Sequence, residues 1–365
     1  MKQLTGALAL SAGALLGAAD AHAQSKDGTG VTVYGLLDVG VETSNNNAVG
    51  GGGTVTRASS GGMNTSRFGF RGVEDLGGGL QANFNLEGAL SLDTGAADGA
   101  LFKRQANVGL QGGFGKVSIG RSFTTVYDFI IGYDPMAYAP YYSWATTGNA
   151  SNRANGVVNK YGMTTGFDNL VKYAGQAGDF KFGASYGAGE QATGAADSRK
   201  LAAAVAWGRG PFATTLTWEQ VNGSMLPATG LREQARAIHF GLLYAGSGYK
   251  LQAAMRAYLQ EAARVDTPEV QANLYWAGGS YQATSAVTLT GVLYYQDVKN
   301  AAPGTDADPA MLVARFRYAL SKRTDLYVTG AYAKAKHNQL ISLSRDSDGY
   351  GDKQHGLMVG MQHRF

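Results

Sequence analysis

No cysteine occurs in the 365 residues, so disulfides, thiolate nucleophiles and thiolate metal sites are all excluded. Proline is scarce at 7, and each one falls in or beside an expected connection, where no ladder N–H is lost. Beyond the amino terminus there is no run of 18 apolar residues, which excludes spanning helices. A surplus of one charge is missing too. The net charge of +4 is too mild and too evenly spread for a nucleic-acid protein. His239, His337, His355 and His363 are too scattered for a metal site, and no HExxH occurs. Neither a serine elbow nor an acid–base pair declares itself. Residues 346–352 have a calcium-loop flavour but lack the twelve-residue pattern and its closing glutamate. Residues 50–53 are not a phosphate loop, because no Lys-Ser/Thr and no helix follow. The expectation is a non-enzyme without cofactor or metal.

What is present begins with a leader. Lys2, the apolar small-residue stretch 4–16 and the A-x-A site Ala21-His22-Ala23 predict a cleaved signal peptide over residues 1–23. Residues 24–365 then form one exported domain, still at +4 once Lys2 and Asp20 are removed. Glycine, at 53, is about twice the usual share, and tyrosine reaches 20, a composition suited to many strands with tight turns.

The strands declare themselves by period two. Over 31–43, Val33, Gly35, Leu37, Val39 and Val41 fall on one face, and Thr32, Tyr34, Leu36, Asp38 and Glu42 on the other. In 64–74, Phe68 and Phe70 oppose Arg67 and Arg71. In 80–92, Ala82, Phe84 and Leu86 oppose Asn83, Asn85 and Glu87. Later, Leu251, Ala253 and Met255 oppose Lys250, Gln252 and Arg256, and Leu312, Ala314, Phe316 and Tyr318 oppose Arg315 and Arg317. Sixteen such stretches can be counted, and the boundaries also accommodate fourteen or eighteen. Short connections such as 75–79, 112–115 and 209–211 alternate with long polar ones such as 43–63, 93–101 and 223–234. That alternation fits an all-β, antiparallel transmembrane β-barrel of sixteen strands, with tight periplasmic turns and longer outer loops. Its apolar rows face lipid and its polar rows line a lumen, because lipid cannot satisfy an open sheet edge. Sixteen strands leave room for water, whereas about eight would be filled by side chains. No repeat of 20–50 residues supports a solenoid instead. Tyr173, Tyr186, Trp218, Tyr244 and Phe365 are expected near strand ends, in an interfacial girdle.

One stretch breaks the pattern. Residues 122–167 hold Pro135 and Pro140 and many aromatics, including Phe123, Tyr127, Phe129, Tyr133, Tyr138, Tyr141, Tyr142 and Trp144. A loop this long is usually functional, and the expectation is a constriction loop folded into the barrel mouth.

These residues resemble the Gram-negative general porins of the β-proteobacterial, trimeric diffusion type. The most specific piece is Ser66-Arg67-Phe68-Gly69-Phe70-Arg71-Gly72-Val73-Glu74-Asp75-Leu76-Gly77-Gly78-Gly79-Leu80. Val33-Tyr34-Gly35-Leu36-Leu37-Asp38, Val108-Gly109-Leu110, Phe114-Gly115-Lys116-Val117, Ile119-Gly120-Arg121 and Asn169-Leu170-Val171-Lys172-Tyr173 support it. Together they span residues 31–365. The terminal Phe365, with Leu357, Val359 and Met361 on its face, resembles the family's signal to the barrel-assembly machinery. The resemblance implies a homotrimer in outer-membrane lipid and lipopolysaccharide. It also implies wall arginines Arg67, Arg71 and Arg121 facing acidic or carbonyl groups of the inward loop, namely Asp128 and Asp134. The loop departs from the family pattern, which leaves open which aspartate reaches the lumen. Strict alternation puts Arg121 with Val117 and Ile119 on the outer face; the resemblance puts it inside.

The expected function is a water-filled channel for passive diffusion of small hydrophilic solutes and ions. Arg67, Arg71, Arg121 and Lys103 against two aspartates favour anions, and Asp38, Glu87, Lys250, Arg256, Arg315 and Arg317 line the wall. Alternatives are a solute-specific porin, with the aromatic loop as stacking surface, and an outer-membrane adhesin or enzyme, against which the short outer loops argue.

Overall fold

Sixteen alternating stretches become sixteen antiparallel strands that close on themselves in the computed structural model of the chain. The structure describes residues 29–365 apart from 49–51, 147–152, 155–156, 159–160, 193, 301–307 and 345–348. The expected signal peptide and part of the acidic 346–352 loop therefore lie outside the described residues. The strands are β1 (Gly30–Asn45), β2 (Arg67–Gly77), β3 (Leu80–Ser91), β4 (Gln105–Gly112), β5 (Gly115–Phe123) and β6 (Gly166–Ala177). Then come β7 (Phe180–Gly187), β8 (Lys200–Arg209), β9 (Phe212–Met225), β10 (Arg232–Ala245) and β11 (Tyr249–Glu261). The last are β12 (Val270–Gln282), β13 (Val287–Lys299), β14 (Ala310–Ala319), β15 (Thr324–Lys334) and β16 (Lys353–Arg364).

Each strand pairs with the next in sequence, and β16 returns to β1 from Leu36↔Arg364 to Ser44↔Gly356. Closure leaves the wall without a free edge, the condition for crossing lipid as a sheet. The long polar connection 43–63 carries the strand Thr54–Ser60, which pairs with the upper half of β1 while β2 takes the lower half. Thr43 and Thr56 also join their hydroxyls across that pair at 3.0 Å.

The two faces separate as alternation requires. Val33, Val108, Ile119, Leu216, Leu251 and Leu312 stand exposed on the outer surface, while Asp38, Gln252, His239 and Arg256 are buried inside. An apolar belt of that extent on a water-facing surface would drive aggregation; against hydrocarbon it is the matched surface. Aromatic rings collect at both rims of the belt. Phe114, Phe180, Phe212, Tyr249, Tyr281 and Tyr318 are exposed at the short-turn end, and Tyr186, Tyr295 and Tyr332 at the long-loop end. Trp218 does not belong to either rim, because it sits at the middle of β9.

The largest cluster of buried apolar side chains lies inside the cylinder. Val126, Ile130, Tyr133, Met136, Tyr142 and Trp144 of the long loop pack there against Leu243, Leu274, Trp276, Tyr294 and Met358 of the wall.

Candidate functional site

The loop between β5 and β6 turns inward through a capped helix. The Thr124 hydroxyl accepts from the Tyr127 N–H at 3.0 Å and donates to the Thr164 carbonyl at 3.1 Å, joining the loop's two ends. The helix α1 (Thr125–Ile130) runs into a 3₁₀ turn, Ile131–Tyr133. Pro135 then ends helical continuation.

Asp134 organises the middle of the loop. One carboxylate oxygen accepts from the Met136 N–H at 3.2 Å and the Tyr294 hydroxyl at 2.5 Å; the other accepts from the Tyr138 N–H and the Ser143 hydroxyl, each at 2.8 Å. Ala137, Tyr138 and Tyr142 hold positive φ of 49°, 60° and 67°. Left-handed backbone in non-glycine residues costs on the order of 1–3 kcal/mol each and persists only where surroundings over-determine it. The wall supplies those surroundings. The Gln252 amide donates to the Gly132 carbonyl at 2.7 Å, and the Trp276 indole to the Tyr133 carbonyl at 2.9 Å. The Arg256 guanidinium donates to the carbonyls of Ala145, Thr146 and Tyr161 at 3.0, 2.9 and 2.7 Å. From the loop, the Trp144 indole reaches the Ser342 carbonyl at 3.2 Å and the Tyr142 hydroxyl reaches Glu42 at 3.3 Å. Burial pushes the Tyr133 phenol up to about 12. Burial first and Glu42 next raise Tyr142 further, so these two phenols remain neutral.

On the opposite side the loop leaves a cavity of about 720 Å³ between itself and strands β2–β5. Arg67, Lys103, Arg104 and Arg121 line it, with Glu87 and Asp98 as carboxylates and Phe123, Tyr127 and Tyr138 as rings. Glu87 sits between two guanidinium groups, 2.6 Å from Arg104 and 3.5 Å from Arg67, and accepts from the Tyr34 hydroxyl at 2.9 Å. Lys103 pairs with Asp98 at 2.8 Å. The Arg104 guanidinium lies 5.0 Å over the Phe123 ring, which stacks on Tyr127 at 4.3 Å and 10°. Arg71 is absent from this lining; it lies 5.0 Å over the Tyr34 ring, lower on the wall.

Arg121 departs from strict alternation. Ile119 is exposed on the outer face, yet Arg121, two residues on, lines the cavity. Between them Gly120 has φ +127°, backbone that only glycine adopts easily, and the strict alternation breaks there. The Arg121 guanidinium donates to the Lys103 carbonyl and pairs with Asp168.

Other expected placements need correction. Asp134 does not face the arginines: it is buried and its oxygens are committed to the loop's own N–H and hydroxyl groups and to Tyr294. Asp128 pairs with Lys172 of β6 instead. The wall itself provides the carboxylate that meets the arginines, through Glu87. Arg256 points inward as expected but touches loop carbonyls rather than water. Asp38 also points inward and is fully buried, accepting from the N–H groups of Gly62, Met63 and Asn64 and from the Tyr327 hydroxyl. Arg315 donates to Thr329 at 3.1 Å, and Arg317 donates to Thr288 at 3.1 Å and lies 4.0 Å from Asp325. Lys250 is partly buried on the same inner face. Phe365 exchanges two backbone hydrogen bonds with Gly35, each 3.1 Å.

Arg104 and Lys172 were not singled out by the sequence. Alternation run back from Val108 and Ala106 put Arg104 on the outer row, but β4 begins only at Gln105, so Arg104 belongs to the preceding bend. Lys172 alternates correctly with Val171 and Tyr173, which was the available signal. Among the described residues no group of three His, Asp or Glu side chains is placed to hold a metal ion.

Comparison with known proteins agrees with this architecture. Residues 7–338 match the family model described as Gram-negative porin. Outer membrane porin protein 32 of Delftia acidovorans is 31% identical over 92% of this chain and 94% of its own length. An outer membrane porin protein of Bordetella pertussis is 28% identical across the full length of both. Among solved structures, an anion-selective porin from Comamonas acidovorans superposes with a TM-score of 0.77 at 27% identity, covering 92% of this chain and all of that one.

Proposed function

The chain belongs to the Gram-negative porin family and resides in the outer membrane, and on that premise we propose that it is a passive diffusion channel for small hydrophilic solutes that prefers anions. The observation that carries the reading is the charge of the cavity beside the loop. Four cations, Arg67, Lys103, Arg104 and Arg121, meet there against three carboxylates, Glu87 and Asp98 in the lining and Asp168 paired with Arg121. The loop aspartates are engaged elsewhere, so they do not cancel this field. Guanidinium and ammonium groups facing a hydrated constriction favour anions and disfavour cations. Solutes without charge or dipole would have to displace ordered water without replacing its hydrogen bonds. The relative solved as an anion-selective porin supports the same sign. Reversal potentials across planar bilayers in a KCl gradient test it, with a value toward the chloride Nernst potential expected. A value toward that of potassium would overturn the reading.

One observation favours a narrower version. The stack of Arg104 on Phe123 on Tyr127 offers a planar, cationic surface beside the path. Liposome swelling with sugars, amino acids and dicarboxylates separates the two, because saturable flux for one class marks specificity. The proposal extends to a mature chain of residues 24–365 assembled as a homotrimer within lipid and lipopolysaccharide, with Phe365 read by the assembly machinery. Intact mass and sedimentation of protein extracted from outer membranes check the first two.

A further inference from the structure

Toward the short-turn end the inner wall carries a second set of cations, separate from those of the cavity. Lys116 follows the first residue of β5, Lys181 the first of β7 and Lys250 the first of β11. Their neighbours fix their direction. Phe180, Tyr249 and Leu251 are exposed on the outer face, and Val117 pairs with the outward Leu110, so the lysines between them point inward. Among the described residues none of these three lysines has a carboxylate within ion-pair distance. The carboxylates whose charge reaches them are engaged: Asp128, which acts on Lys116, by Lys172, and Asp134, which acts on Lys250, by Tyr138, Ser143 and Tyr294.

The level of this girdle is set by register. Lys116 lies opposite Gln111, which lies opposite Gln81, whereas Arg67 lies opposite Ala89. Five residues separate Lys116 from Arg121 on the same strand, and about eight separate it from the level of Arg67, roughly 13 to 20 Å along the axis for strands tilted by about 40°. That exceeds one screening length at 0.1 M salt, so a passing ion meets girdle and cavity in succession.

We propose that Lys116, Lys181 and Lys250 form a second anion station at the periplasmic mouth, which retains small multivalent anions, whether polycarboxylates or phosphates. The inference deepens the anion-channel reading and rests on it. Attraction to each unpaired ammonium scales with the charge of the ion, so a trivalent anion dwells where chloride passes. A station at one end only makes capture depend on the side of entry.

The test uses the whole channel in planar bilayers, with citrate or inorganic pyrophosphate added to one side at a time. Because the chain has no cysteine, V265C in a long loop, at a residue 73% exposed, reports orientation through a bulky thiol reagent. Block of the KCl current from the short-turn side is expected at concentrations at least fivefold below those needed from the other side, and it should fade between 0.1 and 1 M KCl. K116Q/K181Q is expected to lose at least fivefold in blocking affinity with the KCl reversal potential unchanged. Block by only one of the two anions supports the station and assigns its chemistry. Equal block from both sides of the unmodified channel, or full block of the double variant, overturns it. A cation-preferring reversal potential in the same membranes overturns the anion reading instead, so the two failures are told apart.

Discussion

Glu87 is the residue on which the cavity's charge balance turns. Its carboxylate touches Arg67, Arg104 and the Tyr34 hydroxyl, and its side chain is 6% exposed. Glu87→Gln keeps the shape and removes the negative charge from a site already richer in cations. The expected result is a reversal potential moved further toward chloride, together with a stability loss on the order of 1–3 kcal/mol from weakened charged hydrogen bonds. Bilayer recording reads the first, and thermal unfolding in detergent reads the second. Arg104→Gln should reduce anion preference more than Arg71→Gln, because Arg104 lines the cavity whereas Arg71 lies over Tyr34 below it. Equal effects would mean that the selective field is set by the whole lumen rather than by the cavity.

At the scale of elements, the inward loop behaves as a plug fastened by the wall. Arg256 is fully buried and holds three loop carbonyls, so Arg256→Met keeps much of the volume while leaving those carbonyls unsatisfied. Leaving a buried carbonyl without its donor costs on the order of 1–3 kcal/mol, here locally in the loop. The barrel's own ladder does not depend on that contact. A larger and noisier single-channel conductance is therefore expected from a barrel that still resists heat; an unchanged conductance would show that the loop's apolar packing suffices. The strands were legible in the sequence because each alternates apolar and polar residues between turns, as in Leu312, Ala314, Phe316 and Tyr318 against Arg315 and Arg317. The inward loop was legible because 122–167 interrupts that period. What faces each inward polar group was not legible. A buried arginine bound to carbonyls, Arg256, and a cavity arginine, Arg67, occupy the same row of the same pattern. Asp134 looked like a free loop carboxylate because its partners, Tyr138, Ser143 and Tyr294, meet it only once the loop has folded. Arg104 was hidden by a strand that starts late.

For the whole molecule, the decisive contact is the seam between the first and last strands. The Phe365 ring lies over Gly35, where an added Cβ would stand 2.3 Å from the ring. Gly35→Val is expected to destabilise the barrel by about 1–3 kcal/mol through overpacking. Much of that loss should vanish in the Gly35→Val/Phe365→Ala pair, because the ring is what the valine meets. Urea unfolding of the two single variants and the double variant measures the coupling, and simple additivity would show that the ring does not rest on Gly35.

That seam has a further implication. Gly30 and Phe365 lie at the same rim, on neighbouring staves, about five residues apart along the ladder. The cylinder is therefore indifferent to where its polypeptide starts. A circularly permuted gene, with the old ends joined by a short glycine linker and new ends opened within 262–269, encodes the same set of hydrogen bonds. Such a chain would separate what the last residue does as a cyclising joint from what it does as a free carboxyl terminus.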